Sequence, residues 1–137
     1  MGRIKGMNSV RKELRQLKKK ARVATDRGAM KVAQVIRDEA RANAPVDMGR
    51  IKQSLEVEKR GDYTVVFADP NVAPHAPYLE FGTGGFAVAP APEYAGYMRE
   101  FYVNGEGKTP PKPYLFPAFF RHRDKVIPTI EEEFKKL

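Results

Sequence analysis

One carboxylate, Glu80, stands among three large side chains, Tyr78, Leu79 and Phe81, and runs straight into Gly82-Thr83-Gly84-Gly85. A glycine-rich turn beside an acid could cradle a phosphate. This one lacks the Lys-Ser/Thr ending of a P-loop and the spacing of a dinucleotide fingerprint. The simpler chemistry is a carboxylate that accepts backbone N–H bonds across the turn, or that pairs with Lys52 or Arg50, because an unpaired buried acid is costly. Two histidines, His75 and His122, stand without cysteine and without HExxH spacing, a poor start for a metal site. The carboxylates Asp47, Asp69, Glu80 and Glu93 would have to converge on one ion to run a metal-dependent nuclease, and nothing in their spacing brings them together. No Gly-x-Ser-x-Gly elbow or Ser/His/Asp set is present. The residues therefore point away from an enzyme, and no metal or cofactor is expected.

The remaining chemistry is positive charge. The chain of 137 residues carries a net charge of +8. It is unevenly placed: residues 1–60 hold 17 Lys/Arg and 7 Asp/Glu, or +10, and residues 61–137 hold 8 and 10, or −2. Arg11, Lys12, Arg15, Lys18, Lys19, Lys20 and Arg22 are candidates for contact with DNA phosphates or an acidic protein surface. A solvated helix face is the plainer reading of such a run. The aromatic set Tyr94, Tyr97, Phe101 and Tyr102 could stack on bases, but a helix face packed on a sheet or a neighbouring subunit explains it more simply.

Elements must position these groups. Val10, Leu14, Leu17, Ala21, Ala24 and Gly28 are spaced 4, 3, 4, 3, 4, and Val32, Val35, Ile36 and Ala40 continue the face. That is amphipathic helix spacing close to a heptad seam. Asn8 or Ser9 could cap the helix, with residues 1–7 frayed before it. The helix should end before Pro45, which pushes Ala44 out of the α region. Some 35 residues make a rod of roughly 50 Å, while a chain of this length has a radius of gyration of about 14 Å. The rod must overhang its domain or break near Thr25–Gly28.

After it, Asp47 can cap a short segment over Gly49–Leu55. Glu56–Arg60 and Tyr63–Asp69 read as strands joined by a turn at Gly61-Asp62. Nine of the eleven prolines lie between Pro70 and Pro117, which predicts loops and short elements there. Glu93–Tyr102 reads as a helix and Asn104–Gly107 as a loop tip. Ala118–Leu137 reads as an amphipathic helix that Pro128 should kink or split. The expected fold is α+β: a long N-terminal helix, an antiparallel sheet of about three to five strands, and a C-terminal helix over one face. One domain is expected over residues 1–137, with a basic helical extension at 1–24 and a Pro/Gly-rich insert at 84–112. No apolar run approaches the roughly 20 residues of a membrane span.

Three stretches give the chain a resemblance. Ala44-Pro45-Val46-Asp47-Met48-Gly49-Arg50-Ile51-Lys52-Gln53-Ser54, Tyr78-Leu79-Glu80-Phe81-Gly82-Thr83 and Pro113-Tyr114-Leu115-Phe116-Pro117-Ala118 occur in that order. The chain resembles the gene-product-ten-like family of siphophage head–tail joining, or tail-completion, proteins. There the motifs read A-P-V-D-T-G-x-L-R-x-S, Y-x-E-F-G-T and P-F-L-x-P-A. Met48, Lys52 and Tyr114 depart from the pattern, and the stretch 84–112 is longer than in typical members.

The resemblance implies a structural protein of the phage neck, with Pro45, Asp47, Gly49, Ser54, Tyr78, Glu80, Phe81, Gly82, Thr83, Pro113 and Pro117 as fold and interface elements. It implies a ring oligomer, a hexamer or dodecamer, in contact with a head connector or stopper and with tail terminator or tube proteins. The location implied is the virion, after assembly in the host cytoplasm. The competing expectation is a small basic nucleic-acid-binding domain.

Overall fold

The computed structural model describes residues 2–45, 49–96 and 107–137. Helix α1 runs from Gly2 to Asn43 without a break. Its sequence is dominated by strong helix formers, and neither Asn8 nor Ser9 interrupts it. The expected start near Val10 is thereby corrected, and of the two expected outcomes, break or overhang, the structure takes the overhang. At 1.5 Å per residue the 42-residue helix is about 63 Å long. Residues 6–22 are exposed throughout, and burial begins at Ala24.

Helix α2 (Gly49–Ser54) feeds a hairpin of β1 (Leu55–Arg60) and β2 (Tyr63–Ala68). The strands pair antiparallel, Leu55 facing Ala68 and Arg60 facing Tyr63. Gly61 takes a positive φ of 58° at the turn, which a side chain would resist. Two strands form the sheet among the described residues, where three to five were expected. The reason lies just beyond β2. The Asn71 N–H bonds to Asp69 Oδ1 at 2.9 Å, closing a local turn, and Pro70 cannot extend a ladder. The described part of the proline-rich stretch then makes isolated backbone bonds, such as Val88 N–H to the Phe81 carbonyl, instead of strands.

Among the described residues three more helices follow: α3 (Ala76–Phe81), α4 (Phe116–His122) and α5 (Val126–Lys135). The single C-terminal helix expected from Ala118 is divided by a 3-10 turn at Arg123–Lys125. The division falls ahead of Pro128. Proline is thus left in the first turn of α5, where its missing N–H is not needed. Of the expected helix Glu93–Tyr102, one 3-10 turn is seen at Pro92–Tyr94, and residues 97–102 lie outside the described residues.

The core joins these pieces. Val32, Ile36, Ala40 and Ala44 of α1 and its end pack with Ile51, Leu55, Leu79, Tyr114 and Ala118. Helix α5 lies along α1, so close at Gly28 that a Cβ there would sit 2.8 Å from the Ile130 Cα. No described helix is long and apolar enough to cross a membrane.

Candidate functional site

The core cluster contains residues from all three sequence motifs: Ala44 and Ile51 from the first, Leu79 from the second, Tyr114 and Ala118 from the third. Glu80 supplies the polar link. It is 5% exposed, and its carboxylate accepts three consecutive backbone N–H bonds. Tyr114 donates to Oε2 at 2.7 Å, Leu115 to Oε2 at 3.1 Å and Phe116 to Oε1 at 2.8 Å. Those three N–H groups lie between Pro113 and Pro117, neither of which has an N–H to offer. Every amide donor between the two prolines thus ends on one carboxylate. The same groups form the entry to α4, whose first turn would otherwise hold unpaired donors. An acid is also the favoured charge at that end of a helix.

The donors are not those of the glycine turn itself, and no basic side chain among the described residues pairs with Glu80. Lys52 and Arg50 belong to α2 and do not take that part. The glycine turn instead lets chains pass closely. Gly82 has φ 78° and Gly84 φ 55°, and a Cβ on Gly84 would lie 2.2 Å from the Gly107 carbonyl oxygen. Thr83 N–H bonds to the Thr109 carbonyl at 2.9 Å, and the Thr109 N–H returns to Thr83 Oγ1 at 3.0 Å. Lys112 N–H meets the Leu79 carbonyl at 2.8 Å. The segment leading to Pro113 is therefore stitched to the second motif along its length.

Tyr114 closes the corner. Its ring is buried, its hydroxyl donates to the Ala76 carbonyl at 3.1 Å, and Asn43 reaches its carbonyl at 3.4 Å. Burial, with the nearby charge of Glu80, pushes the Tyr114 hydroxyl well above the ordinary tyrosine value. The Phe81 ring meets Phe116 at a tilt, 5.5 Å between centroids, and Phe116 also meets Tyr94 edge-on at 5.2 Å. In the first motif, buried Ser54 donates to the Ile51 carbonyl at 2.7 Å, and its own carbonyl takes the Asp69 N–H. Pro45 is half-buried, Gly49 and Pro113 are exposed, and Asp47 lies outside the described residues.

Other candidate groups are dispersed. Asp69 serves its own turn. His75 is exposed, whereas His122 is buried with Nε2 3.3 Å from Glu39 Oε1. Among the described residues no three His, Asp or Glu side chains gather as a metal would require. Hollows of about 430 and 330 Å³ flank Phe116 and are lined mainly by hydrocarbon. Glu80 lines the smaller one, but its oxygens are already occupied by N–H groups. Arg11, Lys12, Arg15, Lys18, Lys19, Lys20 and Arg22 all lie exposed on the overhang, separate from the corner.

Two polar clamps between α1 and the C-terminal helices were not anticipated. Glu39 accepts from Arg121 at 2.6 Å. Burial pushes its carboxyl up, but the bonds from Arg121 and His122 outweigh this and leave it below the ordinary glutamate value. Glu133 is buried between Lys31 and Lys136. The bond from Lys31, then that from Lys136, lowers the Glu133 carboxyl, and the same pairing raises Lys31. A signal existed: Val126, Ile130, Glu133 and Leu137 are spaced 4, 3, 4, as are Ala24, Gly28, Lys31 and Val35. Each line carries one charge at a seam position, and the two charges are opposite.

These features define a class, a small α+β protein built as a scaffold around a capped corner. A family described as "Bacteriophage HK97-gp10, putative tail-component" matches residues 8–82, more than half the chain. The chain belongs to that family of phage structural proteins, and its role is a structural one in the phage tail. The match takes in the first motif, all of the second but Thr83, and most of the basic overhang, and it ends at Gly82, before the third motif. No curated protein and no solved structure gives a significant match.

Proposed function

We propose that the chain is a neck component that joins the head connector to the tail, as a hexameric or dodecameric ring around the channel. One domain, residues 1–137, carries this role, with the extension 1–24 and the insert 84–112 turned to neighbours. Its action is shape rather than bond-making. The observation that carries this reading is the Glu80 corner: the buried acid of the second motif has its oxygens filled by three backbone N–H groups, which leaves it nothing to do to a substrate. On this reading Pro45, Asp47, Gly49, Ser54, Tyr78, Phe81, Gly82, Thr83, Pro113 and Pro117 fix the subunit and its contacts. The protein works in the virion after assembling in the host cytoplasm.

The test is genetic and structural together. Loss of the gene should leave filled heads and finished tails unjoined, and the purified chain added to such an extract should restore joined particles. Joined, infectious particles in the absence of the gene would overturn the proposal.

A further inference from the structure

The overhanging half of α1 carries a second, independent feature. Met7, Val10, Leu14 and Leu17 are exposed and spaced 3, 4, 3 along it. Ala21, Ala24 and Gly28 continue the line at 4, 3, 4, and at Ala24 and Gly28 it passes under α5. The open stripe and the α5 interface are therefore one seam. Helix α5 covers its C-terminal part and stops near Val23, where Leu137 shares a hollow with Gln16, Lys19 and Lys20. Beside the apolar line runs a basic one, Arg11, Arg15, Lys18 and Arg22, spaced 4, 3, 4 and shifted by one residue.

The chemistry of an occupant follows. A stripe this narrow is a coiled-coil seam, suited to another helix rather than to a bilayer. Double-stranded DNA would match the basic line but would leave the apolar one uncovered. A second copy would bring the same excess of positive charge: residues 6–22 hold seven Lys/Arg and one Glu. The covered part of the seam shows how α1 takes a helix, by close packing at Gly28 and by Glu133 set against Lys31.

We propose that residues 7–22 of α1 are a docking site for an acidic amphipathic helix of another protein, seated on the same face as α5 and end-on to it. The inference stands on α1 alone and does not need the neck placement.

The probe is a synthetic three-heptad peptide with leucine at a and d and glutamate at e and g, titrated into the full chain by calorimetry. A second peptide carries lysine at e and g. The acidic peptide should bind, more weakly as salt rises, and the basic one should not. Leu14→Asp with Leu17→Asp should weaken binding by about a hundredfold or more, the scale expected for two buried leucines. Arg15→Glu with Lys18→Glu should reverse the preference between the peptides. All four positions are exposed, and circular dichroism checks that the variants fold. Failure of the acidic peptide to bind would overturn the proposal, as would binding indifferent to Leu14 and Leu17. So would self-association lost in the Leu14/Leu17 variant, which would make a second copy the occupant. Tighter binding of duplex DNA, insensitive to the leucines, would make the site one for nucleic acid.

Discussion

Replacing Glu80 with alanine should be the most damaging single change at the corner. The substitution removes the acceptor of three N–H groups at once. Tyr114 is buried, so its N–H would stay unpaired, at a cost of about 2–3 kcal/mol. Leu115 and Phe116 are half-buried and water can reach them, so each should cost about 0.5–1 kcal/mol. The sum is roughly 3–5 kcal/mol, a large part of the 5–15 kcal/mol typical of a domain. Glu80→Gln keeps one acceptor oxygen but turns an NH2 toward an N–H, and should lose a smaller amount. Glu56→Ala, at an exposed strand position, should change stability by less than about 0.5 kcal/mol. The chain has no tryptophan, so urea unfolding is best followed by circular dichroism. A Glu80→Ala variant within about 1 kcal/mol of the parent would refute the reasoning, because a buried donor would then have been left unpaired at no cost.

Three further outcomes follow from the packing. Alanine at Gly28 gains about 1 kcal/mol of helix propensity. Its Cβ would nevertheless meet the Ile130 backbone at 2.8 Å, and the overpacking should leave a net loss of about 1–2 kcal/mol; a raised melting temperature would contradict the close approach. Gly84→Ala forces a side chain into a positive φ and against Gly107, and should cost at least about 1–2 kcal/mol from the backbone alone, read as a lower melting temperature than the parent. The α1–α5 clamp should be acid-sensitive. Glu133 lies below its ordinary value in the fold, so its contribution is complete above that value and is lost as pH falls through the folded one. Lys31 lies above its ordinary value, so its share holds below that value and is lost as pH rises through the folded one. Thermal unfolding across this range should show both limbs, and Glu133→Gln should flatten the acid one.

How far the sequence reveals the fold depends on whether the deciding contact is local. The hairpin was legible because a β-branched run and a Gly-Asp turn decide it within a dozen residues. The start of α1 was not, because Asn8 and Ser9 only permit a cap, and nothing forces the helix to end there. A sheet of three to five strands was expected with only two of them placed, and the described residues hold those two. The three motifs could be picked out as proline- and glycine-marked segments, and Glu80 as an acid in need of donors. Which donors it finds was hidden, because they lie 34–36 residues away and nothing in the local pattern names them. The prolines at 113 and 117 were visible, but that they bracket three N–H groups with one destination is a fact of tertiary packing. Lys31 and Glu133 were legible in principle, as opposite charges on two seams, yet only the antiparallel docking of α5 on α1 sets them face to face.

Amide hydrogen exchange at Tyr114, Leu115 and Phe116, read by nuclear magnetic resonance, tests the corner most directly. Slow exchange at all three, made fast by Glu80→Gln while Val65 and Phe67 in the β1–β2 ladder stay protected, is the result expected. Exchange of these three amides at free-peptide rates in the unaltered chain would contradict the account.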